Sequence, residues 1–303
     1  MLGIGKRSPK PAASLADGNG AVIDKGSARA YCAGLVQACD ADAFMTAMLA
    51  SEPGRGDLLA LYAFDAELAR VAKLVSEPSL GALRLAWWRD ALAGLYEGRP
   101  PEHPLLAALA QAIARTGLTH DDLDDMIAAR ECDLGDTPPA DSDALLHHVG
   151  RTSGTLLAQA ALVLGGDATA ARAARHVGIG WGLATLLRVI PRHAARGRGL
   201  LPADMMRAAG LMSMDLAVPA QRTALAGVVS ELADLAVRHL ALARANLKRP
   251  PRALLPALLP GALAESYLAA LRRARFDPFG ANFERGALAR RIKVLLRLAQ
   301  CRF

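Results

Sequence analysis

The run His120-Asp-Asp-Leu-Asp-Asp125, with Glu131 and Asp133 downstream, is the densest group of metal-capable side chains in the sequence. Asp121 and Asp125 are one helical turn apart, a spacing at which two carboxylates can hold Mg²⁺ against a diphosphate. A simpler reading competes with it and is preferred. Thr119 followed three residues later by Asp122 is an N-cap pattern, and acids in a first turn favour the positive end of a helix dipole. No Gly-x-Ser-x-Gly elbow and no reactive-cysteine motif marks a nucleophile. His147 and His148 are adjacent, so they face different ways on a helix, which suits surface or capping roles. Gly178-Ile-Gly-Trp-Gly182 lacks the preceding strand and the Lys-Ser/Thr ending of a phosphate loop; its glycines are expected to serve close helix packing.

These groups sit on helices. Leu58, Leu59, Tyr62, Ala66, Ala69, Val71 and Leu74 recur at three- and four-residue steps, so 58–77 reads as a helix buried on most of its circumference, with Glu67, Arg70 and Lys73 as its polar problem. The next segment reads as a helix with Leu83, Ala86, Trp87, Ala91 and Leu95 inward and Arg89 or Asp90 outward. Arg84 and Trp88, one turn apart on it, are alternatively placed to line a cavity. Helices are expected near 28–50, 55–76, 79–97, 102–116, 120–133, 141–164, 168–193, 217–248, 261–275 and 284–301, with Gly/Pro punctuation between them. No alternating strand and no repeat of 20 to 50 residues is visible, so one all-α bundle over 28–303 is the economical architecture. Residues 1–27, dominated by Gly, Pro, Ala and Ser, read as a disordered leader without a secretory h-region.

With 303 residues, 52% of them hydrophobic, the chain can bury a sizeable core. Its 36 Lys+Arg against 29 Asp+Glu give +7. The excess gathers at the C-terminus in Arg272, Arg273, Arg275, Arg285, Arg290, Arg291, Lys293, Arg297 and Arg302. Few aromatics interleave there, which argues against nucleic acid and leaves peripheral contact with an anionic membrane or an acidic protein partner. Cys32, Cys39, Cys132 and Cys301 show no metal spacing; most are expected to be small buried hydrophobes in a reducing compartment. The apolar runs are shorter than a spanning helix or are broken by Pro256 and Pro260.

Leu61-Tyr-Ala-Phe64, Leu85-Ala-Trp-Trp-Arg89, His103-Pro104 and Gly197-Arg-Gly-Leu-Leu-Pro202 occur in the order in which they resemble the squalene and phytoene synthase family. That resemblance implies an all-α isoprenoid-synthase fold with a central cavity. Active members carry two Asp-x-x-x-Asp motifs on facing helices, whose carboxylates grip Mg²⁺ and help a prenyl diphosphate ionise. At the matching positions this sequence has Ala69, Arg70 and Lys73, and then Val189 and His193. Cations where divalent ions would bind reverse the charge of the subsite. Glu67 with Arg70, and Lys73 with Glu77, have helix-pairing separations.

A subgroup with these same departures, the phytoene-synthase-like assembly factors of respiratory complex I and their bacterial relatives, is similar in Phe64–Val71, Val75–Glu77 and Leu187–His193. The resemblance therefore implies a pseudoenzyme without cofactor or metal. It would work with complex I subunits or assembly intermediates at the inner membrane, on the cytoplasmic side or, in a eukaryote, the matrix side. Tyr62, Glu67, Arg70, Lys73, Arg84, Trp88, Arg188, His193 and Arg198 are the residues expected to line the cavity or meet an anion. Two rivals follow from the same residues. One is an active prenyl-diphosphate enzyme in isoprenoid biosynthesis, with Arg70, Lys73, Arg188 and Arg198 holding diphosphate directly. The other is a carrier of an isoprenoid, lipid or quinone.

Overall fold

The computed structural model describes residues 24–303 except 76, 136, 197–198, 212–215 and 285, and except the Lys25 side chain. Its helices are α1 (Lys25–Cys39), α2 (Ala41–Ala47), α3 (Gly54–Leu74), α4 (Pro78–Tyr96), α5 (Pro104–Thr116), α6 (His120–Ala129), α7 (Ser142–Val149), α8 (Thr155–Val163), α9 (Ala168–Ala194), α10 (Ala203–Ala208), α11 (Arg222–Asn246), α12 (Leu255–Leu258), α13 (Pro260–Arg273) and α14 (Ala287–Ala299). No strand occurs among the described residues. Most of the expected leader, residues 1–23, lies outside them.

Local chemistry explains the boundaries. Asp40 breaks the expected 28–50 helix: it leaves helical geometry, and its carboxylate accepts from the Asp42 and Ala43 amides to start α2. In α5, Pro104 occupies the first turn and Gly117 ends the helix with φ 67°, the left-handed conformation that suits glycine. The expected 141–164 helix contains a π turn at Gly150–Gly154. There the Thr152 and Thr155 hydroxyls bond the His148 and Gly150 carbonyls. The short α10 had no periodic signal.

The core is built around α9, which packs on α8, α11 and α13, while α3 packs on α1, α5 and α8. The glycines of 178–182 are the reason α9 can sit so close to its neighbours. A Cβ on Gly178 would overlap the Ser153 carbonyl oxygen, and one on Gly182 would lie 2.6 Å from Val149. Gly180 opens the other flank, where a Cβ would lie 2.8 Å from Leu240. The segment Arg252–Arg273 has the length and mean hydropathy, 1.5, of a membrane span, but 83% of its apolar window is buried in this core.

Several expectations need correction. Helix α3 is enclosed through Phe64, but Leu74 is 52% exposed because the helix runs out beyond its neighbours. On α4 the inward residues are Gly81, Leu85, Trp88 and Leu92, whereas Leu83 and Trp87 are 68% and 47% exposed. Adjacent indoles lie about 100° apart on a helix, so only one can face the core. Leu134 presses against Gly81 and selects this face. Of the four free cysteines only Cys32 is buried; burial pushes its thiol up to about 12.

Gly178→Ala is expected to lower stability by about 1–3 kcal/mol, since backbone must move to admit the methyl group. Gly180→Ala should cost less, because its closest contact is the Leu240 side chain at 2.8 Å and the nearest backbone atom, the Ala236 carbonyl oxygen, is at 3.1 Å. Denaturant midpoints of the two variants check this order.

Candidate functional site

The acidic run at the start of α6 is a helix cap with ion pairs. The Thr119 hydroxyl accepts from the Asp122 amide, Asp124 accepts from Arg89 at 2.7 Å, and Asp125 accepts from Arg151 at 2.9 Å. Asp121 is fully exposed. Among the described residues no three His, Cys, Asp or Glu side chains converge as a metal site requires. Asp133 belongs to a chain that ties α3 to α7: Asp65 accepts from Arg130 at 2.6 Å, Arg130 bonds Asp133 at 3.2 Å, and His148 Nε2 lies 3.2 Å from Asp133. Burial opposes the Asp133 charge, but the His148 hydrogen bond and the Arg130 charge prevail and hold its carboxyl below the usual range. His147 is exposed, in keeping with a surface role.

The nine expected residues do not form one constellation. Tyr62 and Trp88 are core residues. The Trp88 ring meets Phe64 and His103 edge to face, each at 5.9 Å. The Tyr62 hydroxyl is buried with no hydrogen-bond partner among the described residues, and burial, followed by the nearby charges of Asp40 and Asp65, raises its pKa. Arg70 donates to Glu67 at 2.6 Å, so that pair is made as the helix spacing suggests. The Lys73–Glu77 pair is not made: α3 ends at Leu74, and Glu77 becomes the cap position of α4. Lys73 and Arg84 point into solvent, which separates Arg84 from Trp88 and any shared cavity. His193 lies half-buried in the last turn of α9. Arg198 lies outside the described residues.

Arg188 leads to a cluster the sequence pattern did not disclose. Its Nη1 donates to the Tyr267 hydroxyl at 2.8 Å and lies 3.6 Å from the Asp42 carboxylate. Tyr267 in turn donates to Asp42. The guanidinium carbons of Arg188 and Arg290 stand 4.5 and 5.0 Å from the Tyr267 ring centre. Burial, reinforced by Asp42, raises the Tyr267 phenol, so it remains a neutral donor. Asp40 nearby is raised by burial against the pull of backbone amides and Arg188. Asp42 and Tyr267 are 225 residues apart, and no local spacing announces such a pair. The break at Asp40-Ala-Asp42 was the one available hint.

Two hollows of about 260 and 320 Å³ flank α10. None of the eight described residues among those nine lines either one. A further unforeseen contact joins α9 to α11, where His176 and His239 bring their Nδ1 atoms to 3.0 Å.

A dehydrosqualene synthase structure matches this architecture with a TM-score of 0.79 at 17% identity, covering 91% of this chain and 96% of its own. The fold is the all-α isoprenoid-synthase fold. The family model for squalene/phytoene synthase matches residues 36–297, and the chain belongs to that family. It is 31% identical over 256 residues to NADH dehydrogenase (ubiquinone) complex I assembly factor 6 of Bos taurus, 84% of this chain and 77% of that one. It is 28% identical over 202 residues to a presqualene diphosphate synthase of Rhodopseudomonas palustris, 66% and 72% of the two chains.

Two measurements test the polar contacts. Arg130→Ala should cost about 3–5 kcal/mol in urea unfolding, since Asp65 would lose its buried partner, and Arg130→Lys should recover only part. Burial lowers the pKa of both His176 and His239; Arg175 adds to the first, and His176 and Arg238 add to the second. The folded pair resists protons that the unfolded chain accepts near pH 6.5. Its stability contribution is therefore complete above about pH 6.5 and is lost as pH falls through the depressed folded values. Melting temperature should fall with acidification through this window, and His239→Gln should flatten that part of the profile.

Proposed function

We propose that this chain assists the assembly of respiratory complex I and does not condense prenyl diphosphates. The observation that carries the reading is the identity of the side chains at the two metal-motif positions of the family resemblance. Ala69, Arg70 and Lys73 stand at the first, Val189 and His193 at the second. Two carboxylates one turn apart would collect Mg²⁺, whereas cations repel it. Arg70 is moreover neutralised by Glu67, and Arg188 is committed to Asp42 and Tyr267, which leaves neither as a ready diphosphate clamp. Similarity to complex I assembly factor 6 over most of both chains supports the assembly role. The partners in this reading are complex I subunits or intermediates, met at the inner membrane from its cytoplasmic or matrix side.

A second reading, a lipid or quinone carrier, is favoured by the Tyr62 hydroxyl, a buried polar group without a partner among the described residues.

Deleting the gene should lower the amount of assembled NADH:quinone reductase, measured on native gels and by activity, and re-expression should restore it. Purified protein incubated with farnesyl or geranylgeranyl diphosphate, with or without Mg²⁺, should release no diphosphate. Unchanged complex levels, or time-dependent diphosphate release, would reject the assignment.

A further inference from the structure

Helix α14 is mounted with most of its charges facing the protein and most of its leucines facing outward. Val294 is 1% exposed against the bundle. Beside it, Lys293 and Arg297 bond Glu265 of α13 at 3.0 and 3.2 Å, and Arg290 stacks on Tyr267 and bonds the Phe283 carbonyl. Arg244 of α11 bonds the same glutamate at 2.5 Å. Burial works against the Glu265 charge, but Lys293 and Arg244 hold its carboxyl below the usual range, so the clamp stays ionised.

The opposite face is apolar and open. Leu288, Ile292, Leu295 and Leu296 are 71%, 48%, 54% and 55% exposed. Their spacing of four, three and one residues puts them on one stripe along a helix about 20 Å long. Exposed Arg291 borders the stripe on α14 itself, and exposed Arg302 follows the helix. Exposed Arg272, Arg273 and Arg275 close α13, which runs antiparallel to α14 because Glu265 meets Lys293 and Arg297 while Tyr267 meets Arg290. None of these five arginines has an acidic partner among the described residues.

We infer that α14 is a membrane-docking helix: Leu288, Ile292, Leu295 and Leu296 enter the headgroup–acyl boundary of an anionic bilayer while the free arginines engage lipid phosphates. An apolar stripe with a border of one sign fits a lipid surface, which accepts leucines without a complementary shape and supplies the opposite charge. The clamp at Glu265 makes the whole bundle follow the helix, so docking also sets the orientation of the domain. This rests on the membrane placement proposed above but not on the assembly role. It also revises the expectation from composition: Arg290, Lys293 and Arg297 are turned inward, and apolar insertion acts together with the remaining arginines.

The test is flotation of the purified full chain with vesicles of phosphatidylcholine alone or with about one-third phosphatidylglycerol, at low salt and at about 0.5 M salt. The Leu288→Glu/Leu295→Glu variant keeps the buried face of α14 intact, and its melting curve checks folding. The wild type should float with the anionic vesicles, weaken but persist in salt, and bind neutral vesicles poorly. The double variant should lose binding by about tenfold or more. Arg272→Glu/Arg273→Glu should reduce binding and its salt dependence. Wild-type binding that the leucine variant retains would overturn the role of α14 while leaving membrane placement intact. Absence of wild-type binding would overturn both. Sedimentation showing a wild-type dimer that the leucine variant dissolves would assign the stripe to a second copy and overturn the inference.

Discussion

Backbone proximity along α9 is the constraint on which the bundle depends. Gly178 and Gly182 admit the α7–α8 segment on one flank, and Gly180 admits α11 on the other. Once α9 is held at those distances, α13 packs against it and carries Tyr267 and Glu265 with it. Both side chains meet α14, where Arg290 stacks on Tyr267. Tyr267 reaches Arg188 and Asp42 in the interior, and Glu265 reaches the cations of α14. The apolar core supplies the driving force, but the close helix approach decides which polar groups meet.

The ion pairs that result are mostly between distant helices. Asp57 of α3 meets Arg115 of α5, Asp65 meets Arg130, and Asp42 meets Arg188. Such pairs seldom outperform apolar side chains of similar volume, yet a partner left alone is costly. Their effect here is to disfavour other alignments of one helix on another. The same economy governs the cations of α3: Arg70 is neutralised by Glu67, and Lys73 is turned outward.

Unused apolar surface is distributed unevenly. Leu80, Leu83 and Trp87 on α4 and the leucines of α14 stay exposed while most other large apolar groups are covered. On α14 the amphipathic pattern is strong but its orientation is reversed, because Glu265 offers an interior partner that outbids water for Lys293 and Arg297. Charge alone is a poor guide to which face of a helix meets solvent when a half-buried carboxylate is available.

The sequence by itself determined the all-helical class, most helix boundaries, the cap at Thr119, the role of the 178–182 glycines and the membership of the family. These are local or ordered signals: periodicity, capping residues, and motifs in a fixed succession. Only the tertiary structure decided that Trp88 and not Trp87 faces the core, that Arg188 joins Asp42 and Tyr267, that His176 meets His239, and that α14 turns its leucines outward. Each of those outcomes depends on groups from helices far apart in the chain. A period of 3.6 residues defines the faces of a helix but not the neighbour each face will meet.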